Sequence, residues 1–341
     1  MTPAAASPRA LVLDAAAPIG RHPLRLTRRP APEPGPGEVL VRVAACGICR
    51  TDLHVVEGDL PLRRAPIVPG HQVVGRVEAL GAGVSRFQAG DRVGIAWLRR
   101  TCGACPFCRD GRENLCERAQ FTGWDADGGY ADYAVAPADF VHAVPAVFAD
   151  AEAAPLLCAG IIGYRALRRS GARAGQRLLM YGFGSSAHVT LQVAQARGIE
   201  VWVSTREAAH RALARRLGAT WVGGLEAAPP APVEAAIIFA PAGELVPQAL
   251  RRLAPGGTLA LAGIHMSPVP SLAYEALFGE RTVTTVTANT REDARELLAA
   301  AAAVPVRPVV TTFPLEAANV ALERLKAGDL AGSGVLLADR V

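Results

Sequence analysis

The sequence predicts an α/β protein of two domains, in which a barrel-like β domain is followed by a doubly wound domain with a parallel sheet of six strands. Three observations predict this fold class. The chain has 341 residues, which is more than one hydrophobic core usually serves. Its first half consists of short strand patterns separated by glycine and proline. From about residue 151 onward, strand patterns alternate with helical patterns, as in a parallel sheet.

Four runs in the first half carry β-branched or alternating apolar residues and are predicted strands. They lie at 39–43, 73–77, 92–96 and 130–135. Turn sequences separate them, as the Pro-Gly-Pro-Gly run at 34–37 illustrates. Several short strands with frequent turns predict a barrel-like β domain.

Six further strands are predicted in the second half, at 177–181, 200–204, 220–222, 235–239, 258–262 and 282–286. Helical patterns lie between most of them, which predicts the doubly wound parallel sheet. After Asn289 we predict a helix at 290–303, a strand near Val309, a helix at 315–327 and a strand at 334–337. We expect this tail to return to the first domain. The predicted domains are therefore 1–155 with 290–341, and 156–289.

Composition and charge argue against several classes of function. Half of the residues are apolar and 20% are charged, an ordinary balance for a soluble globular protein. No apolar run reaches the roughly 18 residues that span a bilayer, and the N-terminus lacks the pattern of an export signal. We therefore expect a cytoplasmic protein without a membrane partner. The net charge of +5 comes from scattered arginines, so we expect no nucleic-acid partner. Lys326 is the only lysine, which leaves little room for Schiff-base or Walker-type phosphate chemistry.

Four cysteines lie close together in a polar, turn-rich segment at about 101–117. They are Cys102, Cys105, Cys108 and Cys116. Four thiolates satisfy the tetrahedral coordination of zinc completely, so this pattern predicts a closed, structural zinc site. The alternative is two disulfides or idle thiols, which a cytosolic setting disfavours.

A glycine-rich motif follows the first strand of the predicted parallel sheet. Gly182, Gly184 and Ala187 form Gly-x-Gly-x-x-Ala, with Ser185 and Ser186 between them, and a helical pattern begins there. In this position the motif predicts a tight turn whose backbone N–H groups approach a dinucleotide pyrophosphate. The alternative is an ordinary glycine turn.

The end of the second strand of this sheet bears on which dinucleotide binds. It carries Ser204, Thr205 and Arg206, and no carboxylate precedes Glu207. Hydroxyls and a guanidinium suit a 2′-phosphate, whereas an acidic residue would accept hydrogen bonds from a free ribose. This favours NADP(H), with NAD(H) possible. The alternative is that Arg206 only faces solvent.

A second set of metal ligands is spread along the chain. Cys49 lies in the run Cys46-Gly-Ile-Cys-Arg-Thr-Asp-Leu-His54, His71 lies in Gly-His-Gln72, and Cys158 lies in Leu-Leu-Cys-Ala-Gly. Two thiolates and one imidazole give zinc three protein ligands and leave a fourth position for water or substrate oxygen. With the four-cysteine segment, these motifs resemble the zinc-dependent medium-chain alcohol dehydrogenases from about Val39 to the C-terminus. The bacterial alcohol dehydrogenases and the cinnamyl alcohol dehydrogenase branch are especially similar.

The resemblance implies a GroES-like β-barrel catalytic domain, a Rossmann dinucleotide-binding domain and two zinc ions per chain, one catalytic and one structural. It places the catalytic zinc on Cys49, His71 and Cys158. It makes Cys46 a bystander thiol. Gln72 departs from the carboxylate that many relatives have after the histidine ligand, and we expect a more electrophilic zinc as a result.

The resemblance also assigns roles to four neighbours of Cys49. Asp52 hydrogen-bonds the ring of the histidine ligand. Arg50 binds the cofactor pyrophosphate. Thr51 and His54 form a proton relay that runs through the nicotinamide ribose. The implied reaction is reversible hydride transfer between an alcohol and NAD(P)+.

Two other functions are compatible with parts of this pattern. Some relatives reduce carbon–carbon or iminium double bonds, but the presence of both Thr51 and His54 favours alcohol and carbonyl substrates. A zinc-stabilised structural protein would not need a three-ligand site with an open position.

The substrate is predicted from candidate pocket residues, and the assembly is predicted from the family resemblance. Trp97, Leu98, Trp124, Ile264, His265 and Met266 are the candidate pocket residues, which favours an apolar primary alcohol or aldehyde, aromatic or medium-chain. Trp97 and Trp124 are equally well explained as core residues, and His265 as a buried structural histidine. The resemblance implies a homodimer or homotetramer, in which the strand at 282–286 extends the sheet.

Overall fold

The computed structural model describes residues 7–304 and 306–338. The outer ends of the predicted first domain, 1–6 and 339–341, and Pro305 lie outside the described residues. The described chain forms two compact units. The first comprises the described residues up to Cys158, Thr290–Leu298 and the described residues from Val310; the second comprises Ala159–Asn289 and the described part of Ala299–Val309. None of the described helices combines the length and apolar character needed to cross a membrane.

The N-terminal part of the first unit is mainly β-structure. Its strands are β1 (Arg9–Leu13), β2 (Leu24–Arg28), β3 (Glu38–Gly47), β4 (Gln72–Leu80), β5 (Arg92–Ile95), β6 (Leu98–Arg100), β7 (Gln120–Phe121), β8 (Tyr133–Pro137) and β9 (Val141–Ala143). Its helices are α1 (Arg50–Glu57), α2 (Pro106–Arg109) and α3 (Asp150–Ala153). The long strands β3 and β4 are antiparallel and contain β-bulges, which curve the sheet.

The second unit contains the predicted parallel sheet. Its strands are β10 (Arg177–Tyr181), β11 (Glu200–Ser204), β12 (Trp221–Gly223), β13 (Val233–Ile238), β14 (Leu253–Leu261) and β15 (Thr282–Thr285). Its helices are α4 (Ala159–Ser170), α5 (Ser185–Ala196), α6 (Ala208–Arg216) and α7 (Leu245–Leu250). The strand order is β12-β11-β10-β13-β14-β15, with every pair parallel. The prediction of a doubly wound six-stranded sheet is confirmed.

The C-terminal segment adds α8 (Arg291–Ala303), β16 (Val310–Pro314), α9 (Ala318–Ala327) and β17 (Ser333–Leu337). Thr290 and Asp293 begin α8, because the Thr290 N–H and hydroxyl both donate to the Asp293 carboxylate. Gly328, at φ 76°, ends α9 in the left-handed conformation. Strand β17 pairs antiparallel with β3, so the tail completes the sheet β16-β17-β3-β4-β5-β9 of the first unit.

The predicted strand at 130–135 begins later in the structure, at Tyr133. Tyr130 instead donates its backbone N–H to Pro69 O at 3.0 Å and accepts from Leu11 N at 2.9 Å. Its side chain is fully buried. The apolar pattern at this point therefore reflects a buried connection between two segments of the first unit rather than the start of a strand.

Candidate active site and metal centres

Three predicted ligands meet within the first unit. The ligand atoms of Cys49, His71 and Cys158 all lie within 4.8 Å of one another. Cys46 is buried but is not part of this group. Two sulfurs and one imidazole nitrogen at this separation can bind one tetrahedral zinc ion and leave one position open.

Each ligand stands at the end of a regular element. Cys49 follows β3 and is the N-cap of α1, where its N–H donates to Asp52 Oδ2 at 2.8 Å. His71 directly precedes β4. Cys158 follows the 3-10 turn Ala154–Leu157. Three separate connections therefore supply one ligand each. For this reason, sequence spacing alone does not predict that the three ligands lie together.

The histidine of this group is oriented by a buried carboxylate. His71 Nδ1 lies 2.7 Å from Asp52 Oδ1, and both side chains are buried. Burial lowers the pKa of His71, but Asp52 and Cys49 together raise that pKa to about 10. His71 Nε2 is buried and has no hydrogen-bond partner among the described residues. An orphaned ring nitrogen beside two thiols fits a zinc ligand, because a buried polar atom otherwise requires a partner.

The cysteines of the group interact directly. The pKa of the Cys49 thiol is well below its ordinary value, mainly because Cys158 donates a hydrogen bond to it. His71 lowers this pKa further. One thiolate at this position is therefore favoured even before metal binding. Burial raises the pKa of the Cys46 thiol, and Cys46 lies outside the ligand group.

Tyr130 also shapes the site, and the sequence analysis missed it. Its ring packs so closely on Gly70 that a Cβ at Gly70 would overlap it, and Gly70 has φ 98°. The backbone of Gly129 donates to Gly70 O at 2.8 Å. The Gly-Gly-Tyr run thus holds the residue before His71. In the sequence, the glycine before His71 was the only sign of a close contact at this point. The contact partner, Tyr130, is distant in sequence and could not be identified from a local pattern.

Gln72 is buried beside His71, and within the described part of the chain its Oε1 has no hydrogen-bond partner. A Cβ at Gly47 would lie 3.0 Å from the Gln72 amide, so this side chain is closely packed against β3. The amide oxygen is a neutral donor atom for a metal, whereas a carboxylate would add a full charge.

Thr51 and His54 lie on α1 beyond Cys49. Thr51 is buried, and its hydroxyl is 3.7 Å from Cys49 Sγ. His54 is one turn further along the helix, and its Nδ1 is 2.8 Å from Asp59 Oδ2. Arg50 is exposed at the start of the same helix. The sequence analysis did not single out Asp59, although its position after Gly58 was a signal for a turn.

The four cysteines of the 101–117 segment form a second group. Their sulfurs all lie within 4.8 Å of one another, and all seven cysteines of the chain are free thiols, so the disulfide alternative is wrong. The N–H groups of Ala104 and Cys105 donate to Cys102 Sγ at 3.5 and 3.3 Å. These donors lower the pKa of Cys102 to about 5, which favours the thiolate that zinc binds.

The dinucleotide motif forms the expected strand, turn and helix within the second unit. Gly182 follows β10 with φ 84°, its N–H donates to Ser204 O at 2.8 Å, and a Cβ there would lie 3.1 Å from Ala240 N. Gly184 is the N-cap of α5 and has open space at its Cβ position. The turn lies at the carboxyl end of β10, where the strand order reverses between β10 and β13.

His188 fixes this turn from within α5. Its Nδ1 lies 3.2 Å from Gly184 O, and its Nε2 accepts from Val309 N at 3.1 Å. Because Nε2 accepts, Nδ1 carries the proton and the ring is neutral. Burial lowers the pKa of His188 to about 4.

We expect stability to fall as the pH decreases from about 6.5 to about 4, because the unfolded chain then binds a proton that folded His188 does not. The loss from this group should be on the order of 3 kcal/mol. Thermal unfolding of wild type and His188→Asn across this pH range measures it. The variant should show a shallower dependence, and exposed His265→Gln should behave like wild type. Equal slopes for wild type and His188→Asn would contradict the assignment.

The predicted cofactor-binding residues Ser204, Thr205 and Arg206 lie at the end of β11 and directly after it. Ser204 is buried and donates to Gly224 O at 3.2 Å, and the Thr205 hydroxyl donates to Glu207 Oε2 at 3.2 Å. The Arg206 side chain is 76% exposed, and its guanidinium is 3.3 Å from Glu207 Oε1. Glu207 therefore contacts both Thr205 and Arg206, so a carboxylate lies beside the predicted cofactor residues.

The candidate pocket residues are divided between the two units, and three of them lie in the first unit. Trp97 is buried and packs edge-on against the His71 ring at 4.8 Å. It stacks on Phe121 at 4.9 Å and on Trp124 at 5.9 Å. Trp124 packs against the core of the first unit and donates its N–H to Pro61 O. Trp97 is therefore the candidate that contacts the metal ligand His71. Trp124 contacts Trp97 and the core of the first unit.

The remaining candidate pocket residues are Leu98 in the first unit and Ile264, His265 and Met266 in the second unit. Leu98 is a buried strand residue of the first unit. Ile264 and His265 are exposed on the second unit, so the buried-histidine alternative for His265 is wrong. Met266 packs against the core of the second unit.

Known proteins share both halves of this architecture. Residues 35–146 match the alcohol dehydrogenase GroES-like domain, and residues 187–303 match the zinc-binding dehydrogenase domain. A probable alcohol dehydrogenase of Mycobacterium tuberculosis is 52% identical over 94% of each chain.

Solved structures agree with these sequence matches. A cinnamyl alcohol dehydrogenase of Sorghum bicolor is 29% identical with a TM-score of 0.88, over 97% of each chain. A cobalt- and zinc-bound thermostable alcohol dehydrogenase of Pyrobaculum aerophilum is 28% identical with a TM-score of 0.88, over 97% of this chain and 99% of that one. With the ligand groups and the dinucleotide turn in place, the chain belongs to the zinc-dependent medium-chain alcohol dehydrogenase family.

Proposed function

We propose that this alcohol dehydrogenase interconverts apolar primary alcohols and their aldehydes, aromatic or medium-chain, with NADP(H) as the preferred cofactor. The observation that supports this proposal is that the ligand atoms of Cys49, His71 and Cys158 lie close together. In addition, His71 Nε2 is buried and has no hydrogen-bond partner in the part of the chain that the structure describes. When bound there, zinc supplies a Lewis acid that polarises the substrate oxygen, and the nicotinamide exchanges hydride with the substrate carbon.

The residues around this group have separable roles in the proposal. Asp52 fixes the ring of His71, so that Nε2 points to the ligand position. Thr51 takes the substrate proton on its buried hydroxyl, and His54 passes the proton toward solvent. Arg50 binds the cofactor pyrophosphate. Cys102, Cys105, Cys108 and Cys116 hold the second, structural zinc.

The substrate class follows from the surface beside the metal ligands. Trp97 contributes an aromatic face next to His71, and Phe121 extends the same stack. An apolar or aromatic group adjacent to the reacting carbon would pack here, whereas a charged group would lose its hydration. The similarity to the sorghum cinnamyl alcohol dehydrogenase supports an aromatic alcohol.

A substrate comparison tests this proposal. Purified protein is assayed with an aromatic primary alcohol, its aldehyde and the matching conjugated enal, each with NADP(H) and NAD(H). We expect turnover of the alcohol and aldehyde, and reduction of the enal only at its carbonyl carbon. Product analysis that finds a saturated aldehyde would instead identify a double-bond reductase.

The cofactor preference rests on Arg206 and its neighbours. Its exposed guanidinium can make a forked contact with a 2′-phosphate, and the Ser204-Thr205 segment lies beside it. The pair with Glu207 opposes this, but an exposed ion pair contributes about 1 kcal/mol or less. A phosphate with two charges can therefore displace Glu207 from Arg206.

We expect Arg206→Ala to raise the KM for NADP+ about ten-fold and to leave the KM for NAD+ nearly unchanged, because one charged contact is lost. Steady-state kinetics with both cofactors measures this. Arg216→Ala, which removes an exposed arginine from the end of α6, is the matched control. Equal changes in both KM values would contradict a phosphate contact.

We also propose a homodimer or homotetramer in a cytoplasmic setting, whose reducing conditions keep the seven cysteines from forming disulfides. Strand β15 is at the edge of the six-stranded sheet, and Val283 on it is exposed. Tyr274 and Phe278 are nearby in sequence and are 71% and 68% exposed. An open edge and exposed aromatic residues are typical of a surface covered by a second copy. A monomer mass in sedimentation equilibrium would contradict this.

A further inference from the structure

A carboxylate contacts the histidine of the proposed proton relay. His54 Nδ1 lies 2.8 Å from Asp59 Oδ2. The His54 side chain is only 11% exposed, whereas that of Asp59 is 50% exposed. The pair therefore extends from the interior of the first unit to its surface.

The local sequence produces this contact. Helix α1 ends at Glu57, and Gly58 adopts φ 88°, which a residue with a side chain rarely does. The N–H groups of Gly58 and Leu60 both donate to His54 O, at 3.0 and 3.1 Å. These bonds turn the chain back over the last turn of the helix and bring Asp59 beside the imidazole.

We propose that Asp59 is a positioning residue for His54, an inference that rests on the relay in the proposed function. A carboxylate can only accept, so His54 Nδ1 donates to it and Nε2 keeps its lone pair. With NAD(P)+ bound as the hydride acceptor, His54 Nε2 would accept, through the relay, the proton that the substrate hydroxyl loses. Asp59 then stabilises the imidazolium, which releases the proton to water. The arrangement is that of a histidine oriented by an acid.

The other acidic groups on α1 and on α9, which packs against it, have different partners. Asp52 contacts His71, Glu57 contacts Lys326, and Glu323 contacts His22. Of the acidic side chains named here, Asp59 is therefore the one that contacts His54.

Asp59→Asn tests the role in catalysis. An amide can accept from Nδ1 without charge, or turn and donate to it, which selects the wrong tautomer. We expect kcat to fall about ten-fold with KM within about two-fold, because only proton transfer is affected. Asp59→Glu should recover most of the loss. Asp14→Asn, which removes a similarly exposed carboxylate paired with Arg25, should retain wild-type kcat.

A second readout does not depend on turnover. Imidazole nitrogen NMR of the unliganded protein, with the His54 signals assigned by their absence in His54→Gln, reports which ring nitrogen carries the proton. We expect Nδ1–H in wild type and a mixture or Nε2–H in Asp59→Asn. Unfolding curves of each variant show whether the fold is retained.

The possible outcomes distinguish a failure of the role of Asp59 from a failure of the proposed proton relay. A His54→Gln variant with full kcat would overturn the relay and this inference with it. A slow His54→Gln variant beside an Asp59→Asn variant with wild-type kcat and an unchanged tautomer would overturn the role of Asp59 alone. Loss of kcat in both single variants, with no further loss in the double variant, supports the inference.

Discussion

Cys158→Ser should lower kcat for alcohol oxidation at least about a thousand-fold while leaving the fold intact. The reason is that Cys158 supplies one of three ligand atoms in the group with Cys49 and His71. A serine hydroxyl stays protonated near neutral pH and is a poor zinc ligand. The lost Lewis acid is worth several kcal/mol of transition-state stabilisation. Metal analysis should show one zinc lost per chain, and circular dichroism should be unchanged.

Cys46→Ser is the matched control, since it changes a buried thiol near the same ligands that lies outside the group. It should keep the metal content and most of the activity of wild type. If Cys158→Ser retained both metal and turnover, Cys158 would not be a ligand. If Cys46→Ser instead lost one zinc, the ligand set would have to include Cys46.

Cys105→Ser should act on stability rather than on chemistry. The 101–117 segment has few buried apolar side chains, so a metal bound to its four sulfurs would hold its conformation. We expect the variant to lose the other zinc and its melting temperature to fall by about 10 °C, corresponding to roughly 3 to 5 kcal/mol. Metal analysis and a thermal scan measure both.

The effect should extend beyond the segment. Glu113 in the same segment accepts from the backbone N–H and the guanidinium of Arg291, at 2.7 to 3.1 Å, and so holds the start of α8. Turnover per folded chain at low temperature should persist in Cys105→Ser, because the other ligand group is separate. An unchanged melting temperature together with the loss of one zinc would show that this metal does not stabilise the fold.

The sequence predicted the parallel sheet well because its strands are short, apolar and regularly separated by helices. It was less successful at Tyr130, where apolar residues indicate burial but not the partner that buries them. The closely spaced cysteines were predictable as a unit, since their spacing is itself the geometry of the site. His71 and Cys158 needed the family resemblance, because 87 residues separate them and no local pattern joins them.

Local signals by themselves determined the six strands of the parallel sheet, where the glycine turn meets α5 and which cysteines form the four-sulfur group. Only the tertiary structure decided which side chains surround the metal ligands. It placed Tyr130 on Gly70 and Trp97 against His71. The physical reason is that periodicity and turn chemistry act over a few residues, whereas a buried polar atom is paired by whichever distant segment packs against it.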